Sequence, residues 1–161
     1  MKTLKESILD NNLSIQDVPM DFPGAEELAQ LLSSVDDYTR YKYDPVNEKH
    51  IRISEEEFRK FEKWIKKYST RTKDKNSIGL FCKRRRISNQ HDIMPTDYEM
   101  EYVDPQTKTR RHVSIEFYVS SYAENGATIK VEDRWGKRIS SNGYYLPKEA
   151  AQLIDLFIMS K

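Results

Sequence analysis

The sequence predicts an α+β fold, in which an antiparallel meander of four to five strands carries helices over 54–68 and 147–159 on one face, with a helical N-terminal segment. Three observations predict it. Apolar residues recur at helical spacing in Phe58, Phe61, Ile65 and Tyr68, and again in Leu146, Ala150, Leu153, Ile154, Phe157 and Ile158. Between those stretches the pattern changes to strict alternation, Tyr98, Met100 and Tyr102 followed by Val113, Ile115, Phe117 and Val119. Turn residues separate the alternating runs, with Pro105 in "DPQTKT" and the dipeptides Asn125-Gly126 and Asn142-Gly143.

Taken in order, "TLKESILDN" at 3–11 has Leu4, Ile8 and Leu9 on one face of a short helix that needs something to dock on. A second helix begins near Gly24 and carries Leu28, Leu31, Leu32 and Val35. "HIRIS" is a short strand. Ser54, with Glu57 three residues later, is the signature of a capping box opening the helix over 54–68. "SIGLFCK" reads as a largely buried strand, and "DYEMEYV" and "RHVSIEFYVS" form a hairpin. Asn125-Gly126 predicts a two-residue turn before "TIKVED", and Pro147 suits the first turn of the last helix. The domain division is an acidic helical segment over 1–45 and a single α+β domain over 46–161.

Composition excludes many chemistries. The chain has 161 residues, 37% apolar and 33% charged, enough for one core. No apolar stretch approaches the roughly 18 to 20 residues of a membrane span, and no basic-then-apolar leader opens the chain, so a cytoplasmic protein is expected. The single cysteine, Cys82, has no partner for an internal disulfide and reads as a small buried apolar residue. The five glycines form no phosphate-cradling cluster, and there is no nucleophile elbow. His50, His91 and His112 are isolated, without HxH or HExxH spacing, and predict no metal site and no cofactor.

Charge is segregated along the chain. Residues 1–58 hold 13 acids and six bases, residues 59–86 hold 12 bases and two acids, and the remainder is nearly neutral. The candidate binding residues are therefore Lys60, Lys63, Lys67, Arg71, Lys83, Arg84, Arg85 and Arg86, joined by Arg134, Trp135, Lys137 and Arg138 in the "DRWGKR" turn. Clustered cations reach phosphates together, and Trp64, Tyr68 and Phe81 lie among them as stacking groups where exposed. The competing account is that these lysines are the wet face of a helix, neutralised by the acidic N-terminal region. Trp64, beside Ile65, reads as core. "RRRIS" also matches a basic-directed kinase acceptor, and "KRRR" a nuclear address, at the level short basic runs reach by chance.

Three readings stay open. The first is a non-enzymatic interaction protein whose partner is nucleic acid or an acidic protein surface. The second is a structural or assembly component that associates with copies of itself, as in a virion. The third is a metal-dependent, nuclease-like enzyme built on strand carboxylates such as Glu99, Glu101, Glu116 and Glu132, though "IKVED" places its lysine ahead of the acid.

The opening "MKTLKESIL" resembles the first residues of small proteins from tailed bacteriophages, particularly those of gut Bacteroidetes hosts. The resemblance covers nine residues and implies a viral protein acting in bacterial cytoplasm or in the virion. It carries over no functional residue.

Overall fold

The computed structural model describes residues 20–35, 40–41, 48–84, 96–104, 108–118, 125–133 and 141–160. The elements are α1 (Ala25–Ser33), β1 (Arg40–Tyr41), β2 (Glu48–Ser54), α2 (Glu55–Tyr68), β3 (Ser77–Arg84), β4 (Thr96–Val103), β5 (Arg110–Tyr118), β6 (Gly126–Glu132), β7 (Tyr144–Pro147) and α3 (Lys148–Ser160). The predicted helix at 3–11 lies outside the described residues.

α2 forms for local reasons. The Ser54 hydroxyl accepts from the Glu57 amide at 3.1 Å, and the Glu57 carboxylate accepts from the Ser54 amide at 3.1 Å, so the capping box is complete. Glu55, Glu56 and Glu57 sit in the first turn, and Lys66 and Lys67 in the last, each opposite in sign to the helix end it occupies. Phe58, Phe61, Trp64 and Ile65 are buried, and Phe58 packs on Phe117 with ring centroids 5.0 Å apart.

The sheet is antiparallel throughout and has seven strands in the order β1-β2-β6-β5-β4-β3-β7. This corrects the expected four or five. Only β3 to β6 form a meander; β2 joins on the far side through a seven-residue register with β6, and the short β7 joins β3. Both additions pair segments distant in sequence, which alternation does not report. The helix packing also differs from expectation. α1 is a third member of the helix layer, touching both α2 and α3, and Pro147 closes β7 opposite Ser77 instead of lying in the last helix. The Asn125-Gly126 turn is likewise displaced: Gly126 already pairs with Tyr118, so the β5–β6 connection spans 119–125.

Alternation divides the sheet into two unlike faces. Toward the helices point Ile51, Ile53, Leu80, Tyr98, Met100, Val113, Ile115, Phe117, Ala127, Ile129 and Val131, all buried with the helical apolar residues in one cluster. Burying each large member stabilises the fold by roughly 1.5 to 3 kcal/mol. α3 is buried at every position from Ala150 to Met159, covered by the sheet on one side and in part by α1 on another. α1 is anchored at Gly24, whose carbonyl accepts from the Trp64 indole N–H at 2.9 Å. Gly24 has φ +82°, and a Cβ there would lie 2.6 Å from the Tyr68 ring, so both backbone and space require glycine.

The apolar layer ends in a buried ionic network. Arg111, 1% exposed, donates from Nε and Nη2 to the two oxygens of Asp155 at 2.8 and 2.6 Å, and from Nη1 to Asp133 at 2.7 Å. The Tyr102 hydroxyl also donates to Asp155. Burial alone would push the guanidinium toward its neutral form, but the bonds and charge of Asp155 outweigh it and hold Arg111 protonated. The network ties α3 to β4 and β5.

Candidate functional site

Among the described residues, the basic segment does not form one patch. Strand alternation sends consecutive β3 residues to opposite faces: Arg84 lies on the helix side, whereas Lys83 lies on the open face, across from Asp97. Arg85, Arg86, Arg134, Trp135, Lys137 and Arg138 lie outside the described residues. The remaining candidates fall into two groups.

Lys60, Lys63 and Lys67 line a groove of about 480 Å³ between α1 and α2, together with Glu27, Gln30, Leu31, Ser34 and Trp64. This groove is partly neutralised from within. Lys67 Nζ donates to Glu27 at 3.2 Å, and the Tyr68 hydroxyl donates to the same carboxylate at 2.6 Å. The Tyr68 bond first, then the Lys67 bond, hold the Glu27 carboxyl below its ordinary value, and Glu27 in turn raises Lys67. Lys60 faces Glu56 at 3.8 Å. The charged groups are exposed, so solvent screens each pair and an incoming anion can replace it.

The second group surrounds a cleft of about 240 Å³ at the β3–β7 edge of the sheet, under the C-terminal end of α2. Ile65, Leu80, Cys82 and Tyr98 give it an apolar floor, while Lys66, Ser69, Arg84 and Tyr144 form its rim. Arg71 lies with its guanidinium 5.3 Å from the centre of the Tyr144 ring, and its Nη2 donates to the Tyr144 hydroxyl at 3.1 Å. Tyr144 is 36% exposed, one of two large hydrophobic residues left open to solvent among the described residues. Beneath the rim, Tyr98 donates to Glu62 at 2.7 Å, and Glu62 also pairs with Arg59 at 3.0 Å and Lys66 at 3.8 Å. Burial, then Glu62, push the Tyr98 phenol far above its ordinary value, and burial pushes the Cys82 thiol up. Neither group ionises at neutral pH. The cleft therefore offers cations, an exposed ring and a neutral floor.

The open face holds an arrangement that residue spacing did not suggest. Strand pairing sets Glu101, His112, Glu132 and Glu48 in one row across β4, β5, β6 and β2, and Glu99, Ser114, Lys130 and His50 in the next. His50 Nε2 lies 3.3 Å from Glu132 Oε1, His112 Nε2 lies 3.0 Å from Glu99 Oε1, and His112 Nδ1 lies 3.8 Å from Glu132 Oε2. One donor atom each from Glu48, His50 and Glu132 lies within 4.8 Å of the others. His50 and His112 are thus not isolated, as their sequence positions imply, but share one carboxylate; His91 lies outside the described residues. Among the expected acidic pairs, Glu116 is joined to Lys130 at 2.8 Å in an ordinary surface ladder. Glu99, Glu101 and Glu132 instead gather around the histidines. The available signal was Glu48-x-His50, two side chains on one strand face, and His112 in the polar half of an alternating run.

None of the described helices is long and apolar enough to cross a membrane. The chain matches no family model, no curated protein and no solved structure.

Proposed function

We propose that the protein binds single-stranded nucleic acid along the outer side of α2 and the cleft at the β3–β7 edge. One observation carries this reading: Lys66, Arg71 and Arg84 converge on an exposed Tyr144 over an apolar floor. Single strands need cations along a backbone path and a ring on which a base can stack, and the cleft supplies both within one small volume. The lysines of the α1–α2 groove, on the same helix, extend the cationic path. Duplex recognition fits less well, because no described element offers a basic helix shaped to enter a groove while its acidic neighbours face away.

The test is oligonucleotide binding by the whole chain at about 50 and 200 mM salt. Three phosphate contacts give a slope near −2 in log affinity against log salt for a single strand, hence a loss of about 20-fold over that range. Tyr144→Ser is expected to cost between about 5-fold and 100-fold, the range of one stacked base, and Arg84→Ser to lower affinity and flatten the slope. Lys83→Ser is the control, since its side chain is on the other face of the sheet. No binding at the lower salt overturns the proposal, as do equal losses in Lys83→Ser and Arg84→Ser. A size that grows with protein concentration, without oligonucleotide binding, turns the choice toward the self-associating structural component.

A further inference from the structure

We propose that the open face of the sheet holds a transition-metal site in which Glu48, His50 and Glu132 bind a divalent ion of the zinc class. The inference is independent of nucleic-acid binding and rests on separate residues.

The donor set comes first. Imidazole nitrogen with carboxylate oxygen suits zinc and its neighbours, whereas magnesium and calcium take oxygen alone. The spacing follows. Ligand atoms bound to a tetrahedral ion at about 2.0 to 2.1 Å lie about 3.3 Å from one another, and His50 Nε2 lies 3.3 Å from Glu132 Oε1. Glu48 enters the same cluster because it stands two residues before His50 on β2 and directly opposite Glu132 on β6. The donors are fixed by the pairing of β2 with β6, so their approach is a property of the sheet and not of a loop.

A second, separate observation points to the same place. His112 is 4% exposed, and its Nδ1 has no hydrogen-bond partner among the described residues. Its Nε2 faces Glu99 Oε1 at 3.0 Å. A carboxylate can only accept, so Nε2 carries the proton and Nδ1 presents a lone pair. That lone pair faces Glu132 Oε2 at 3.8 Å. A cation bound beside Glu132 gives that buried nitrogen the partner it lacks among the described residues. Three carboxylates, Glu48, Glu99 and Glu101, stand around the same centre in the two adjacent rows. A bound ion answers both features at once: it takes the Glu132 carboxylate, and it draws His112 toward a fourth position. The Glu99–His112 bond then does what carboxylates commonly do behind metal-bound histidines, holding the ring orientation and raising its basicity.

The experiment is calorimetric titration of the whole chain, freed of metal with a chelator, with zinc chloride near pH 7.5, alongside manganese and magnesium chloride. The expected result is one zinc ion per chain, a rise in melting temperature with zinc, and little response to magnesium. His50→Ala is expected to remove that binding event, and Glu99→Gln to weaken it by about 10-fold to 100-fold without removing it. If His50→Ala fails to fold by circular dichroism, Glu48→Gln, a change at a half-buried position, serves in its place. Absence of zinc binding in the wild-type chain overturns the proposal. Unchanged binding in His50→Ala, or in Glu48→Gln where that replaces it, also overturns it, because the ion then sits elsewhere.

Discussion

Replacing Asp155 by Asn tests whether the end of the core is held by charge or by shape. The substitution preserves volume, so it adds no cavity, and it replaces the charge and one acceptor oxygen by an NH2 group that can only donate. In the native chain those oxygens accept from Arg111 Nε and Nη2 and from the Tyr102 hydroxyl. Each charge-assisted bond contributes about 1.5 to 3 kcal/mol net, and removing one member of a buried pair costs about 3 to 5 kcal/mol. Arg111 keeps Asp133 at 2.7 Å, which places the expected loss at the low end, about 3 kcal/mol. For a chain of this size that lowers the melting temperature by about 6 to 12 °C. Urea unfolding is the assay, with an unchanged m-value confirming that the native state alone is affected. The triple change Arg111→Met, Tyr102→Phe, Asp155→Leu removes the three buried partners together, leaves only the part-exposed Asp133 to water, and is expected within about 2 kcal/mol of wild type. A loss below about 1 kcal/mol for Asp155→Asn, or a triple variant no better than the single one, refutes the reasoning.

Other outcomes follow from local features. Ser54→Ala removes one half of the capping box and is expected to cost about 1 kcal/mol in urea unfolding. Gly24→Ala forces an L side chain to φ +82° and into the Tyr68 ring, with an expected cost of about 2 kcal/mol or more and a change in Trp64 fluorescence, since the Gly24 carbonyl holds the indole N–H. Glu101→Gln has a pH signature. Burial first, then the charge of Glu99, raise the Glu101 carboxyl above its ordinary value, so the folded chain binds that proton more tightly than the unfolded one. Its favourable contribution is complete at low pH and is lost as pH rises through the folded value. Glu101→Gln is therefore expected to melt higher than wild type near pH 7, with the gap closing below about pH 4; a gap that widens in acid refutes the assignment.

Elements specified by neighbouring residues were legible in the sequence, and those specified by pairing were not. α2 was readable down to its cap, because Ser54, Glu57 and the apolar spacing all act within one helix. β4 and β5 were readable because each alternates on its own account. β7 was not, since four residues carry too little pattern, and its place beside β3 is decided by Ile78 meeting Leu146. Lys83 and Arg84 show the opposite case: adjacency in sequence suggests adjacency in space, but the strand sends these two neighbours to opposite faces. His50 and Glu132 are 82 residues apart and meet only through the β2–β6 register. Arg111 and Lys49 fall in the helix-facing phase of their strands, where alternation calls for apolar residues. Arg111 is accommodated because its row lies at the end of the sheet, where it reaches Asp155, and Lys49 because it stands near the start of β2, where its ammonium reaches the Met159 carbonyl at 3.3 Å.

The two proposed sites belong to different sides of one sheet, and this separation explains the charge pattern better than either site alone. The helix side of the β3–β7 edge keeps Arg71 and Arg84, while Glu62, beneath the rim, is engaged by Tyr98, Arg59 and Lys66. The open face gathers Glu48, Glu99, Glu101 and Glu132 about two histidines while Lys130 is held by Glu116. If the proposed nucleic acid is drawn to the first surface, the carboxylates gathered on the second oppose its approach from that side. The two sites are kept apart by the apolar layer that holds the fold together.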